Sequence, residues 1–182
     1  MVAASPLRRY AWPVAATLAA VAIALLALLG GRPDPGRVEF KAAGVMLHIP
    51  PERVTRVRIV AGKRQWEFAR GDTGGWTAVG SGSAPADLTD RIERGLRFLH
   101  VSAPERVLTP EEVAGTPPEE FGLDPPHYLV SIQATDAEPF TIQFGAATAP
   151  GFAQFARVVN RDELLILPRF VGEPWEKATG VQ

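Results

Sequence analysis

Apolar residues recur along this chain in three rhythms. The first is unbroken. Ala11 to Leu29 (AWPVAATLAAVAIALLALL) are 19 residues without a charge, interrupted only by Pro13 and Thr17. A helix of that length rises about 28 Å, close to a bilayer hydrocarbon core of roughly 30 Å. An apolar face all the way round is more than a water-facing helix needs. A transmembrane helix over 11–29 is therefore expected. The second rhythm is strict alternation, the mark of a strand with one buried face. Val45, Leu47 and Ile49 alternate with Met46 and His48, and Val57 and Ile59 with Arg56, Arg58 and Val60. Trp66 and Phe68 alternate with Gln65, Glu67 and Ala69. The turns 61–64 and 71–75 separate these segments from one another and from Trp76–Val79, giving an antiparallel meander.

The third rhythm is helical. Leu88, Ile92, Leu96 and Leu99 form one apolar stripe, with Arg91, Glu93, Arg94 and Arg97 on the solvent side. Asp87 stands where an N-cap belongs. Gly95 lies within the stripe and weakens a helix by ~1 kcal/mol relative to Ala, so packing must hold it. Thr109-Pro110-Glu111-Glu112 has the form of a capping box with Pro at the first helical position, and Thr116-Pro117-Pro118-Glu119 reads as a shorter version. Gly122 suits a left-handed helix end. Alternation then resumes at Tyr128, Val130 and Ile132 and at Phe140, Ile142 and Phe144, with a turn over 135–139. A last strand pair, 152–159 and 163–167, turns at Asn160-Arg161-Asp162. Strands, then helices, then strands predict an α+β domain with largely antiparallel pairing and a few helices. The layout is roughly twofold, without a repeat at the residue level.

Charge sets the expected orientation. Arg8 and Arg9 precede the apolar run and no acid accompanies them, whereas Arg32, Asp34 and Arg37 follow it. The positive-inside rule places a tail, 1–10, in the cytoplasm and the rest outside. A cleaved signal peptide is the alternative, but its apolar region is usually only ~7–15 residues and ends at small residues, whereas Leu29 stands at the end of this run. Gly30 to Arg37 (GGRPDPGR) reads as a linker. The domain 38–182 holds 15 Lys and Arg against 19 Asp and Glu, a net charge of −4. The expected location is the inner membrane, crossed once, with this domain in the periplasm.

The whole chain of 182 residues carries a net charge of −1, which argues against a nucleic-acid binder held by phosphate neutralisation. At 46% apolar and 21% charged residues it is no disordered chain. It has no Cys, which excludes disulfides, thiolate metal sites and cysteine nucleophiles. The three His, at 48, 100 and 127, are too far apart for a local metal motif. No nucleophile elbow, zinc-protease or phosphate-loop pattern occurs. Gly80-Ser81-Gly82-Ser83 lacks the Lys of a phosphate cradle. Glu111, Glu112, Glu119 and Glu120 are explained as first-turn helix residues. No catalytic residue, cofactor or metal is expected.

One surface is a candidate for binding. Arg53, Arg56 and Arg58, with Lys63 and Arg64 beyond, make a basic strand face suited to an acidic partner or a polyanion. The structural alternative is an edge strand guarded by charge. Trp66 and Trp76 would anchor a partner if exposed, although both keep step with the buried face.

A compact motif stands at Phe121-Gly122-Leu123-Asp124-Pro125-Pro126. Its physics is that of a turn: Gly for the helix exit, Leu for burial, Asp to cap or accept backbone N–H groups, and two Pro to stiffen the next strand. Around it lie Gly75-Trp76, Ala86-Asp87 opening a helix with Leu96 and Leu99, Phe144-Gly145, and Phe155-Ala156-Arg157. With these neighbours, over about Val54 to Leu167, the chain resembles the family called domain of unknown function 4340. That resemblance implies one N-terminal membrane helix and an extracytoplasmic α+β domain. It also implies association with ABC-type transport systems linked to gliding motility. Phe155 stands where the family often has Tyr, and this chain has a single copy of the pattern. The resemblance carries no catalytic residues. The expected function is that of a non-enzymatic accessory or scaffold in an envelope or transport complex, with other membrane or envelope proteins as partners. The alternative is a periplasmic module that binds polysaccharide or lipid in a groove between sheet and helix.

Overall fold

The computed structural model describes residues 16–25, 44–80, 86–149 and 151–180. The chain divides into two compact units, Met1–Phe40 and Lys41–Gln182. In the first, residues 16–25 form helix α1, exposed along its length. Among the described residues no helix is long and apolar enough to cross a membrane. Of the expected span 11–29, residues 11–15 and 26–29 lie outside the described residues, as do the tail 1–10 and the linker 30–37.

The second unit is α+β. Among its described residues eight strands form one fully antiparallel sheet in the order β3-β2-β1-β5-β6-β7-β8-β4. They are β1 (Val54–Ala61), β2 (Arg64–Arg70), β3 (Trp76–Ala78), β4 (Arg106–Leu108), β5 (Tyr128–Ala134), β6 (Phe140–Ala147), β7 (Ala153–Val158) and β8 (Leu164–Pro168). The two edge strands have three residues each, which limits the unpaired backbone offered to other chains. Helices α2 (Leu88–Val101) and α4 (Arg169–Thr179) cover one face, and α3 (Pro110–Val113) is a single turn. Between sheet and helices lies one core. Val57 and Ile59, Val130 and Ile132, and Ile142 and Phe144 reach it from the sheet, and Ile92, Leu96, Val171 and Trp175 from the helices.

The alternation read from sequence places β1, β2, β3 and β5 to β8 correctly, and the stripe on α2 is buried at Leu88, Ile92, Leu96 and Leu99. Three local expectations are corrected. Residues 45–49 are not a strand. They form consecutive turns, with Leu47 N–H donating to the Gly44 carbonyl (3.2 Å) and Ile49 N–H to that of Met46 (3.1 Å). The buried set is Val45, Met46 and Ile49, a turn spacing, and Pro50 and Pro51 follow with no N–H to give a ladder. Asp87 occupies the N-cap position without capping. Its carboxylate accepts from Arg91 Nε one turn on (2.7 Å), which holds its pKa below the usual value. The second capping-box reading fails as well. The 3-10 turn Pro118–Phe121 begins after Pro117, with no side-chain cap. The first capping box, Thr109 with Glu112, is present in full.

Two elements go beyond the sequence reading, the edge strand β4 and the helix α4. Helix α4 crosses α2 where Gly95 leaves room for Trp175, whose side chain is fully buried. Gly95 is thus a point of close helix approach rather than a defect. At its other end α4 is tied to the sheet. Arg169 bridges buried Gln154 on β7 (2.6 Å) and Glu176 (2.8 Å).

Candidate interaction surface

The second face of the sheet is covered only in part. Its cover at the β6–β8 end is the Phe121–Pro126 motif. Gly122 has φ +65°, the left-handed turn that ends the 3-10 segment. The chain then crosses Gly145 so closely that a Cβ there would collide with the Phe121 carbonyl. Phe121 meets Phe155 edge to face at 5.0 Å between ring centres. Leu123 is buried, and so is Leu164 on the same face, both outside the main core. The motif is therefore a plug on the sheet's outer face. Asp124 is exposed, and its carboxylate accepts no hydrogen bond among the described residues, so the expected capping role is not seen.

The remainder of that face is polar. Pleating puts Arg56 and Arg58 of β1 on it, two residues apart, because Val57 and Ile59 occupy the core side. Register sets Glu67 of β2 opposite Arg58 and Ser131 of β5 on its other flank. Both arginines turn to Glu67, at 3.1 Å from Arg56 and 3.5 Å from Arg58. Glu67 is mostly covered by them (19% exposed), whereas the arginines remain half exposed. Ser131, Gln133, Pro139 and Thr141 complete a recess of about 200 Å³. Thr141 donates to Ser131 across the β5–β6 pair at 3.0 Å. One strand further, Arg157 on β7 donates to Gln143 on β6 at 3.1 Å.

Two guanidinium groups share one carboxylate, so the recess keeps an unneutralised positive charge. Guanidinium stays protonated and offers paired N–H groups matched to carboxylate and phosphate. Such a group binds anions and does not shuttle protons.

The five basic residues expected on one face are split. Arg56 and Arg58 come together. Arg53 lies in a 3-10 turn before β1, and Lys63 in the hairpin at the opposite end of that strand. Arg64 pairs with Ala61, on the core side, with its guanidinium 5.2 Å from the Trp66 ring. The edge-strand explanation is also removed, since β1 sits between β2 and β5. Neither tryptophan serves this face. Trp76 is buried under Arg70 at 4.7 Å and donates to Glu93 at 2.8 Å, and Trp66 packs half-buried against the core.

The histidines stay apart: His48 lies near Phe140, His100 Nδ1 is 3.3 Å from the Met46 carbonyl, and His127 is exposed at the start of β5. No group of three or more His, Asp or Glu able to hold a metal ion occurs among the described residues. Glu112 is engaged by the Thr109 N–H (2.9 Å) and by Arg106 (2.6 Å), which lower its pKa. Glu111 is lowered by the Thr109 hydroxyl. Residues 81–83 of the Gly-Ser loop lie outside the described residues. The space between sheet and helices is filled by Trp175, Phe68, Phe144 and Met46. A separate recess of about 280 Å³ at the β4 edge is lined by Val45, Val107, Val158 and Leu165 without an aromatic ring.

Sequence reasoning missed the alternation of faces at Arg64. The signal was available: a two-residue turn after Ala61 returns the chain with Arg64 on the side of Ala61. The chain matches no known protein family, no curated protein and no solved structure.

Proposed function

We propose that this protein is a single-pass membrane-anchored accessory subunit whose extracytoplasmic domain is a scaffold in an envelope or transport complex. The observation that carries the reading is the half-covered sheet. A core packed shut on the helix side leaves the outer face as a broad platform, with Arg56 and Arg58 in its middle. Charge on a central strand does not serve to block edge pairing, so a binding role accounts for it better. The uncharged run 11–29 and the Arg8-Arg9 pair support an inner-membrane anchor with the domain on the periplasmic side. The resemblance to the domain of unknown function 4340 family supports the link to transport assemblies. The partner chemistry that fits is a protein surface bearing carboxylates, which Arg56 and Arg58 would grip beside Glu67.

The alternative, a polysaccharide or lipid module, needs a groove between sheet and helix, and large side chains fill that space. The test is affinity purification of the full chain from membranes in mild detergent, beside the Arg56→Gln/Arg58→Gln double variant. Stoichiometric partners are expected with the wild type and are lost with the variant. Recovery of the wild-type chain alone, at normal abundance, contradicts the proposal.

A further inference from the structure

The sheet is polarised along its strands, and its register shows how. The pairs Ala61↔Arg64, Val60↔Leu129, Tyr128↔Phe144 and Ala153↔Pro168 gather four features at one end. These are the β1–β2 hairpin, the start of β5, the β6–β7 loop and the start of α4. The pairs Val54↔Ala134, Ile132↔Phe140, Ile142↔Val158 and Leu108↔Leu164 define the other end. That second end is acidic. It carries Glu52, Asp136 and Glu138, Asp162 and Glu163, and Glu111 and Glu112, against Arg53, Arg70, Arg161 and the Arg106 that pairs with Glu112.

The first end is apolar at the β6–β7 loop. Residues 145–152 (GAATAPGF) carry no charge. Phe152 is 79% exposed, more than any other large hydrophobic side chain among the described residues, the leucines of α1 included. The Arg169 N–H donates to the Phe152 carbonyl at 2.8 Å, which brings Phe170, itself 45% exposed, to the same end. Lys63 and Arg64 stand exposed on the hairpin, and the exposed acids toward this end are Asp124, Glu105, and Glu119 and Glu120 in the turn before Gly122.

An exposed ring on an uncharged loop, opposite an acidic pole, fits the interface of a bilayer. We propose that the Phe152 loop docks on the lipid surface and lays the domain against the membrane with its acidic pole outward. This rests on the anchor reading, which keeps the domain beside a bilayer. Gly44 lies beside Val158 and Arg161, at the acidic end. The 14 residues from 30 to 43 span at most ~50 Å, and an eight-residue strand covers only about 26 Å. Chain length therefore permits either end to face the lipid, and the exposed ring on its uncharged loop decides.

Because the chain has no Cys, single cysteines report one site each. The full chain, reconstituted in phosphatidylethanolamine–phosphatidylglycerol vesicles, is labelled with an environment-sensitive fluorophore at Phe152→Cys, Ala149→Cys, Asp136→Cys or Leu18→Cys. Nitroxide-bearing lipid is the quencher. Ala149→Cys keeps the Phe152 ring and covers the case in which the loop needs it. Labels at 149 and 152 should be blue-shifted and quenched, the label at 136 should behave as in water, and the label at 18 should be quenched most deeply. Deep quenching at 18 with 149 and 152 indistinguishable from 136 overturns the docking and leaves the anchor standing. No lipid quenching at 18 overturns the anchor and the docking together. Labels at 149 and 152 that are water-like in vesicles but shielded in native membranes identify a protein contact instead, and also overturn the lipid proposal.

Discussion

At Gly95 the same residue has opposite meanings in sequence and in structure. Helix propensity alone favours Gly95→Ala by ~1 kcal/mol. An added Cβ, however, would lie 2.5 Å from the Trp175 ring, and that ring is fully buried. Gly95→Ala is expected to destabilise by roughly 1–3 kcal/mol, the usual cost of overpacking, read from urea unfolding. At Gly122 two effects add: φ is +65°, and a Cβ would meet the Ala146 nitrogen at 2.7 Å. Gly122→Val should lower stability by at least ~1 kcal/mol. Asp124→Asn changes an exposed group without a hydrogen-bond partner among the described residues and should melt within about 0.5 kcal/mol of wild type. Tyr128 gives a pH signature. Burial, and then the Glu176 charge, push its phenol well above the ordinary value of 10.0. The folded state thus holds that proton after the unfolded chain has lost it. Its contribution to stability is full below pH 10 and declines as pH rises above that value. In a Tyr10→Phe background, which leaves Tyr128 as the single tyrosine, absorbance titration should show the phenolate appearing only with alkaline unfolding. A titration near pH 10 in that variant while it is still folded would contradict this.

Among the elements, legibility followed amphipathicity. Strands β1, β5 and β6 each bury one face, so Val57 and Ile59, or Ile142 and Phe144, announce them by alternation. The stripe on α2 did the same with a helical period. Helix α4 buries Val171, Trp175 and Ala178 at helical spacing, but Gly172 and Pro174 interrupt the pattern with residues that ordinarily argue against a helix. Gly172 is needed because any side chain there would strike Gln154 and Tyr128, a constraint set by tertiary packing and invisible locally. Strand β4 is three residues on an edge, too short for a period. The 45–49 segment alternated by composition only. Its burial is dictated by turns against α2, with Met46 N–H donating to the Leu99 carbonyl at 3.0 Å. Of the candidate surface, Arg56 and Arg58 were legible from parity. Their carboxylate Glu67, eleven residues from Arg56 in sequence, required the register. The short α3 depends on its cap, so Thr109→Ala should cost ~1 kcal/mol locally, measured as faster amide exchange over residues 110–113.

On the scale of the whole molecule, an uncharged N-terminal run precedes a domain whose sheet is covered by helices on one face and only partly covered on the other. The helix-covered face builds stability, and the outer face is the one proposed for contacts. Charge reversal at the arginine pair should therefore weaken assembly without lowering stability, whereas Gly95→Ala should lower stability and leave assembly of the folded domain unchanged. Circular dichroism together with detergent pull-down separates these outcomes. The claim on which the others depend is that the chain is anchored, with Lys41–Gln182 outside the cytoplasm. An alkaline phosphatase fused after Gln182 tests it, assayed in membranes washed with alkaline carbonate. The account predicts an active enzyme that stays in the washed membrane pellet at the mass of the uncleaved fusion. An inactive enzyme, or an active one released to the soluble fraction, would contradict it.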